Sequence, residues 1–103
     1  MAAVQRFERT PDGEGAVSSL GYVVRRGPRG ALIYADGGRR LVVRSEPGVN
    51  RWFFFMQELR WDGEHAALPR DELFSISERV ANALRHLDVR FRLELPDGRT
   101  IEG

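Results

Sequence analysis

The segment Asp62-Gly63-Glu64-His65 sets two carboxylates beside an imidazole, and these residue types bind metal ions and transfer protons. A metal site needs three or four ligands on a supported frame. The only other histidine, His86, falls on the polar side of a predicted helix and offers no second ligand. We therefore interpret both histidines as solvated surface residues, and we expect no bound metal and no cofactor.

Residues that could act as nucleophiles or hold phosphate show no better pattern. None of the serines stands in a nucleophile-elbow sequence. Neither glycine-rich segment, residues 27–30 or residues 36–38, leads from a strand into a helix as a phosphate-binding loop does. The chain has no cysteine, which removes thiolate chemistry and disulfides. The sequence therefore predicts a protein without catalytic residues that is not an enzyme.

The patterns that predict secondary structure are clearest in the C-terminal half of the chain. Helical spacing relates the apolar residues Ile76, Val80, Ala83, Leu84 and Leu87. The segment Ser75-Ile76-Ser77-Glu78 fits a capping box, so we expect the helix to begin with Ser75 as its N-cap. Beyond it, Val89, Phe91, Leu93 and Leu95 alternate with polar residues. This alternation predicts a half-buried strand, followed by a short edge strand near Arg99 to Glu102.

Turn residues divide the N-terminal half. Residues 1–20 mix glycine, proline, serine and charge without a sustained period, which predicts a flexible arm ahead of a single domain over residues 21–103. Residues 22–24, 31–35 and 39–44 are β-prone. The sequence Asp36-Gly37-Gly38 between the last two runs predicts a tight hairpin.

The aromatic run over residues 51–61 predicts the central strand. Strand parity gives one row of Phe53, Phe55, Leu59 and Trp61 and an opposite row of Trp52, Phe54 and Met56. One helix covers one face of a small sheet, and we expect it to cover the longer row. The row of Trp52, Phe54 and Met56 is then left for the N-terminal arm, a second copy or another partner to bury. The predicted fold is α+β, a small antiparallel sheet of four to six strands in β-β-β-β-α-β order with one helix on one face.

The distribution of charge indicates which class of partner the protein binds. All sixteen basic residues are arginine, which fits a GC-rich bacterial source, and the formal net charge is +1. Seven arginines face two acids between residues 25 and 51, whereas acids dominate residues 58–78. The basic part, beside aromatic residues, could bind nucleic acid. The near-neutral net charge disfavours nucleic acid, and a polarised surface that attracts an oppositely charged protein is the favoured interpretation.

The sequence also predicts where the protein resides. No apolar stretch approaches the roughly 20 residues that span a bilayer. Residues 1–6 lack the basic start and apolar core of a signal peptide. We therefore expect a cytoplasmic protein that does not interact with a membrane.

A family resemblance agrees with a binding role. The hairpin Ile33-Tyr34-x-x-Gly37-Gly38-Arg39-x-Leu41-Val42-Val43, then Glu46, an aromatic strand ending in Trp61 and a helix from 76 to 87 resemble immunity protein family seventy-four of bacterial polymorphic toxin systems. Members of this family are small proteins taken to bind and neutralise a toxin domain encoded nearby. Trp61 and Glu46 match the tryptophan and the acid of the family motif, and Arg44 stands where the motif has glycine.

The resemblance implies a cognate toxin as the partner, and the alternative is a homodimeric structural or regulatory domain. We expect the partner-binding residues to be Trp52, Phe54, Met56, Glu46, Arg44, Arg40 and Trp61. Two of these also have a structural interpretation. Trp61 is better explained as a core residue at a strand end, and Glu46 could pair with Arg44 or Arg51.

Overall fold

Two β-sheets and one α-helix share a single hydrophobic core in the computed structural model, which describes residues 5–103. The strands are β1 (Phe7–Arg9), β2 (Gly15–Ser18), β3 (Tyr22–Arg26), β4 (Leu32–Asp36), β5 (Arg39–Val43), β6 (Ser45–Gly48), β7 (Arg51–Phe55), β8 (Phe91–Glu94) and β9 (Thr100–Glu102). The helix α1 spans Arg70–His86, and a short 3-10 turn spans Pro28–Gly30. The fold is therefore α+β, as the sequence predicts. No helix in the described part of the chain is long and apolar enough to cross a membrane.

The first sheet is an antiparallel meander in the order β1-β2-β3-β4-β5. The hairpin between β4 and β5 is the one that the sequence predicts, with Gly37 and Gly38 at φ of 59° and 82° in its turn. Alternate residues of the central strands point into the core, where Val24, Tyr34 and Leu41 are fully buried. Local alternation and turn chemistry thus determine this sheet.

The second sheet has the order β6-β7-β8-β9, and its central pair β7–β8 is parallel. A parallel pair needs a long crossover connection, which the segment containing α1 supplies. The prediction of one antiparallel sheet is therefore wrong in this respect. Only Arg44 separates β5 from β6, and its carbonyl accepts a hydrogen bond from the amide of Phe55 at 3.0 Å. This short link joins the two sheets.

Helix α1 begins earlier than the capping box predicts. Its N-cap is Pro69, which makes no side-chain capping bond, and Ser75 is an exposed residue inside the helix. Asp71 and Glu72 occupy the first turn, where negative charge stabilises the positive end of the helix dipole. The assignment of Ser75 as N-cap is therefore wrong, because the acidic turn after Pro69 starts the helix.

The predicted apolar stripe of α1 is confirmed. Ile76, Val80, Ala83 and Leu84 are buried at 3% exposure or less. The helix contacts strands of both sheets, β2 and β3 on one side and β8 on the other. A polar link fixes it to the first sheet, because Arg79 donates to the Tyr34 hydroxyl at 2.8 Å and to Asp36 at 3.0 Å. Burial raises the pKa of Tyr34, and the bond from Arg79 opposes that rise.

The facing of β7 is the reverse of the prediction. Phe54 and Met56 are fully buried, whereas Phe53 and Phe55 are half-buried. The parallel register explains the reversal, because Phe54 lies beside Leu93 of β8, and the alternation of β8 places Leu93 in the core. Two residues beyond the strand, Leu59 and Trp61, are buried although they share the parity of Phe53. The alternation of faces along a strand does not apply to them, because β7 ends at Phe55.

The segment predicted as a flexible arm contains β1 and β2, which form an ordered hairpin on the first sheet. Its turn is closed by Asp12, which accepts hydrogen bonds from the Thr10 hydroxyl at 2.5 Å and the Glu14 amide at 3.0 Å. Asx turns of this kind favour a hairpin over a coil. The prediction is therefore wrong for the strand residues, and residues 1–4 lie outside the described part of the chain.

Candidate functional site

An open groove of about 710 Å³ lies where the two sheets meet. Its walls include the turn at residues 27–30 of the first sheet and the Pro47–Gly48 end of β6. Arg26 and Trp52 also line the groove, as do Asp88, Val89 and Arg90 from the segment that enters β8. The groove is thus built by three parts of the chain that are distant in sequence.

Arg26 is held against two aromatic side chains, Trp52 in the groove and Phe54 in the core. Its guanidinium carbon lies 4.5 Å from the ring centroid of Trp52 and 5.0 Å from that of Phe54. One terminal nitrogen donates to the Gly30 carbonyl at 2.9 Å, while Nε is buried and has no hydrogen-bond partner in the described residues. Burial lowers the pKa of Arg26, and the charge of Glu14 partly opposes this. Arginine stays protonated in proteins, so the groove carries a fixed and partly desolvated positive charge.

Two glycines allow the walls to approach the aromatic rings closely. Gly30 has φ of +77°, and a Cβ there would stand 2.6 Å from the Trp52 ring. A Cβ at Gly48 would collide with the ring of Phe53. The groove therefore depends on glycine at both walls for steric reasons, and at Gly30 for conformational reasons as well.

The charges around the groove are only partly neutralised. Arg51 pairs with Glu102 at 3.5 Å, and Asp88 pairs with Arg9 at 3.4 Å. Arg26 and Arg90 form no ion pair with any described residue. A guanidinium group without a partner can bind a carboxylate through two parallel hydrogen bonds. The groove therefore suits an anionic group that enters from solvent.

The residues predicted to bind a partner do not form one surface. Trp52 lies in the groove, but Phe54 and Met56 are fully buried in the chain's own core and cannot form an interface in this conformation. Trp61 is 5% exposed and packs against Tyr34 with ring centroids 6.0 Å apart, in agreement with its interpretation as a core residue.

The three predicted charged residues, Arg40, Arg44 and Glu46, are exposed. Arg40 pairs with Asp62 at 2.7 Å, and the guanidinium carbon of Arg44 lies 4.9 Å from the ring centroid of Phe55. No described ion pair joins Glu46 to Arg44 or Arg51. These three residues are therefore charged side chains on the surface, and they do not line the groove.

Arg90 and Gly30 are groove residues that the sequence does not single out. Arg26 is one of the seven arginines between residues 25 and 51. Its contact with Trp52 joins strands of different sheets, so the sequence does not predict it. The run of Trp52 and three phenylalanines after an arginine-rich half of the chain indicates cation–π contacts in general. Which arginine meets which ring depends on the register of both sheets.

The two histidines lie apart from this groove. His65 is exposed in the loop before α1, and His86 is exposed at the end of α1, where its ring centroid lies 5.4 Å from that of Phe7. Among the described residues, no three histidine, aspartate or glutamate side chains gather as metal ligands. The expectation that the protein holds no metal stays a prediction.

Comparisons of the chain with protein-family models, curated proteins and solved structures give no match. The geometry of the groove and its charges therefore carries the functional proposal.

Proposed function

We propose that this protein is a non-catalytic binding protein that receives an acidic segment of another protein in the groove between its two sheets. The observation that carries the proposal is the pair of arginines, Arg26 and Arg90, that line the groove and form no ion pair with a described residue. A partner carboxylate would complete a charge-assisted contact that the folded chain leaves open.

The position of Arg26 supports recognition by a preorganised site. Stacking on Trp52 and the bond to Gly30 fix its side chain before any partner arrives. Binding then costs little side-chain entropy, since the guanidinium group is already held in place. An aromatic residue and an arginine in a partly desolvated pocket are also the residue types that dominate binding energy at protein interfaces.

The same contact favours a protein partner over single-stranded nucleic acid. Nucleic-acid grooves offer aromatic faces on which bases stack. Here Arg26 covers one face of Trp52 and Gly30 abuts its edge, so a base could stack on that face only after displacing Arg26.

The resemblance to immunity proteins supplies the biological role that we propose. An immunity protein inhibits a toxin domain by binding it and needs no catalytic residues of its own. A groove with fixed positive charge fits a toxin surface that presents acidic side chains. We therefore propose that the partner is a toxin domain encoded beside this gene.

The test is isothermal titration of the protein with the domain encoded by the neighbouring gene, at about 0.15 M salt. We expect wild-type protein to bind and Arg90→Glu to weaken binding at least tenfold, which corresponds to about 1.4 kcal/mol. Arg60→Glu is the matched control, because Arg60 is exposed, unpaired among the described residues and outside the groove. No binding, or equal weakening by both substitutions, would contradict the proposal.

A further inference from the structure

The outer face of the first sheet carries apolar side chains that are not part of the hydrophobic core. Alternate residues of β2 to β5 point away from the core, since their neighbours in each strand are buried. The outward apolar side chains are Val17, Val23, Ile33, Ala35 and Val42. Val17 is 39% exposed and Val42 is 49% exposed.

These side chains form two neighbouring cross-strand rows. In one row, the register places Val17 opposite Val23, and Val23 opposite Ala35. In the next row, Ile33 lies opposite Val42. Directly opposed apolar side chains, most of them β-branched, form a continuous ridge, so the five residues make one patch rather than scattered exposed positions.

The longer row ends in an acidic residue on one side and in a basic residue on the other. Glu8 of β1 lies opposite Val17, and Arg40 of β5 lies opposite Ala35. The row therefore runs across all five strands from an acidic end to a basic end. The Arg40 side chain is 65% exposed even while it pairs with Asp62, so it can still donate to a second carboxylate.

The charges at the two ends of the longer row are complementary to themselves. A two-fold axis that lies in the interface and runs parallel to the strands turns the row end for end. Glu8 of one copy then lies over Arg40 of its partner, and the same contact repeats at the other end of the row. Sheets that pack face to face keep their strands within about 30° of one another, which fits this axis.

We propose that this face is the contact surface for a second copy of the chain, packed sheet on sheet about such an axis. The residues of the patch do not line the groove. The inference is independent of the proposed function, because self-association is measured on the protein alone.

The size of the face sets the expected strength of the dimer. Five strands spaced about 4.8 Å apart span roughly 20 Å, and the apolar rows cover only a few hundred Å². A standard interface buries about 800 Å² on each partner. We therefore expect a dimer that forms at micromolar or higher concentration, and sedimentation should be measured from about 1 μM to 500 μM.

The decisive experiment mixes two charge-reversed variants in sedimentation equilibrium. Glu8→Arg alone places arginine against arginine at both ends of its own dimer, and Arg40→Glu alone places acid against acid. In a mixed dimer, both ends become attractive. We expect each variant alone to dissociate at least threefold more readily than wild-type protein, and the equimolar mixture to regain the wild-type dissociation constant.

Val42→Glu provides a second arm, with Val49→Glu as control. Val49 is 87% exposed, outside the patch, so the control adds the same charge elsewhere. We expect Val42→Glu to abolish dimerisation and Val49→Glu to leave it unchanged, with circular dichroism confirming that both variants fold. A wild-type protein that stays monomeric up to 500 μM, or a mixture that dissociates as readily as its separate components, would overturn the proposal.

Discussion

The two sheets differ in how far along the chain their strand partners lie. Consecutive hairpins build the first sheet, so the turn residues and the alternation within each strand determine which side chains enter the core. In the second sheet, β7 pairs with a strand that lies beyond α1. The facing of β7 is consequently decided by a distant partner, because both rows of its side chains are apolar enough to be buried.

The largest expected effect tests that facing directly. Phe54→Ala removes a fully buried ring and should cost about 3 to 5 kcal/mol in the free energy of unfolding, measured by urea denaturation. Phe53→Ala is the matched control on the opposite face, where the ring is half-buried, and should cost clearly less. Equal losses, or a greater loss at Phe53, would contradict the register of β7 and β8.

The second expected effect compares a glycine of the groove with a glycine of the first sheet. Gly30→Ala should cost about 2 to 4 kcal/mol, because it adds a strained positive φ and a collision with Trp52. Gly37→Ala shares the positive φ but meets no atom within 4 Å, so it should cost only about 1 to 2 kcal/mol. Thermal unfolding of the two variants measures the difference, and equal costs would show that the wall does not press on Trp52.

The third expected effect concerns the β1–β2 hairpin at low pH. The hydrogen bond from Thr10, followed by those from Glu14 and Arg25, lowers the pKa of Asp12 from 3.8 to about 2. A carboxyl group with a depressed pKa stabilises the fold above its unfolded pKa and loses that effect as pH falls through the folded value. Amide NMR shifts of Glu14 should therefore change in a transition centred near pH 2, following the Asp12 titration.

Asp12→Asn is the control for this titration. The variant should remove the shift change at Glu14 in the acid range while leaving the amides of β4 and β5 unaltered. A Glu14 transition centred near pH 4 in the wild-type protein would show that the turn bonds do not hold Asp12 ionised.

The smallest change in stability is expected at Ser75, inside α1. Ser75 is exposed inside the helix, so Ser75→Ala should change the free energy of unfolding by no more than about 0.5 kcal/mol. A loss of about 1 kcal/mol in the free energy of unfolding, measured by urea denaturation, would indicate that Ser75 caps the helix. The result separates a helix that starts after Pro69 from one that starts at the capping-box sequence.

These contrasts show what the sequence could predict. The β4–β5 hairpin, the stripe of α1, the alternation of β8 and the β9 edge strand all follow from patterns within a few residues, and the structure confirms them. The β1–β2 hairpin was missed because its order comes from side-chain bonds of Asp12 and from pairing with β3, while its composition is typical of a loop.

The groove could be predicted only in part. Trp52 and an arginine-rich surface follow from composition, whereas the contact of Arg26 with Trp52 requires two sheets to meet. The apolar surface expected at Trp52, Phe54 and Met56 is wrong, because Phe54 and Met56 lie in the core. Exposed apolar side chains lie elsewhere, among them Val17 and Val42 on the outer face of the first sheet.

The central claim, that the groove receives acidic protein segments, can be tested through the two tryptophans of the chain. Trp52 lines the groove and Trp61 lies in the core, so Trp61→Phe leaves Trp52 as the one fluorescent reporter without changing the groove. We expect poly-L-glutamate to change the emission of Trp52 in a saturable way, with poly-L-lysine as the inactive control. An unchanged Trp52 signal, or equal responses to both polymers, would contradict the claim.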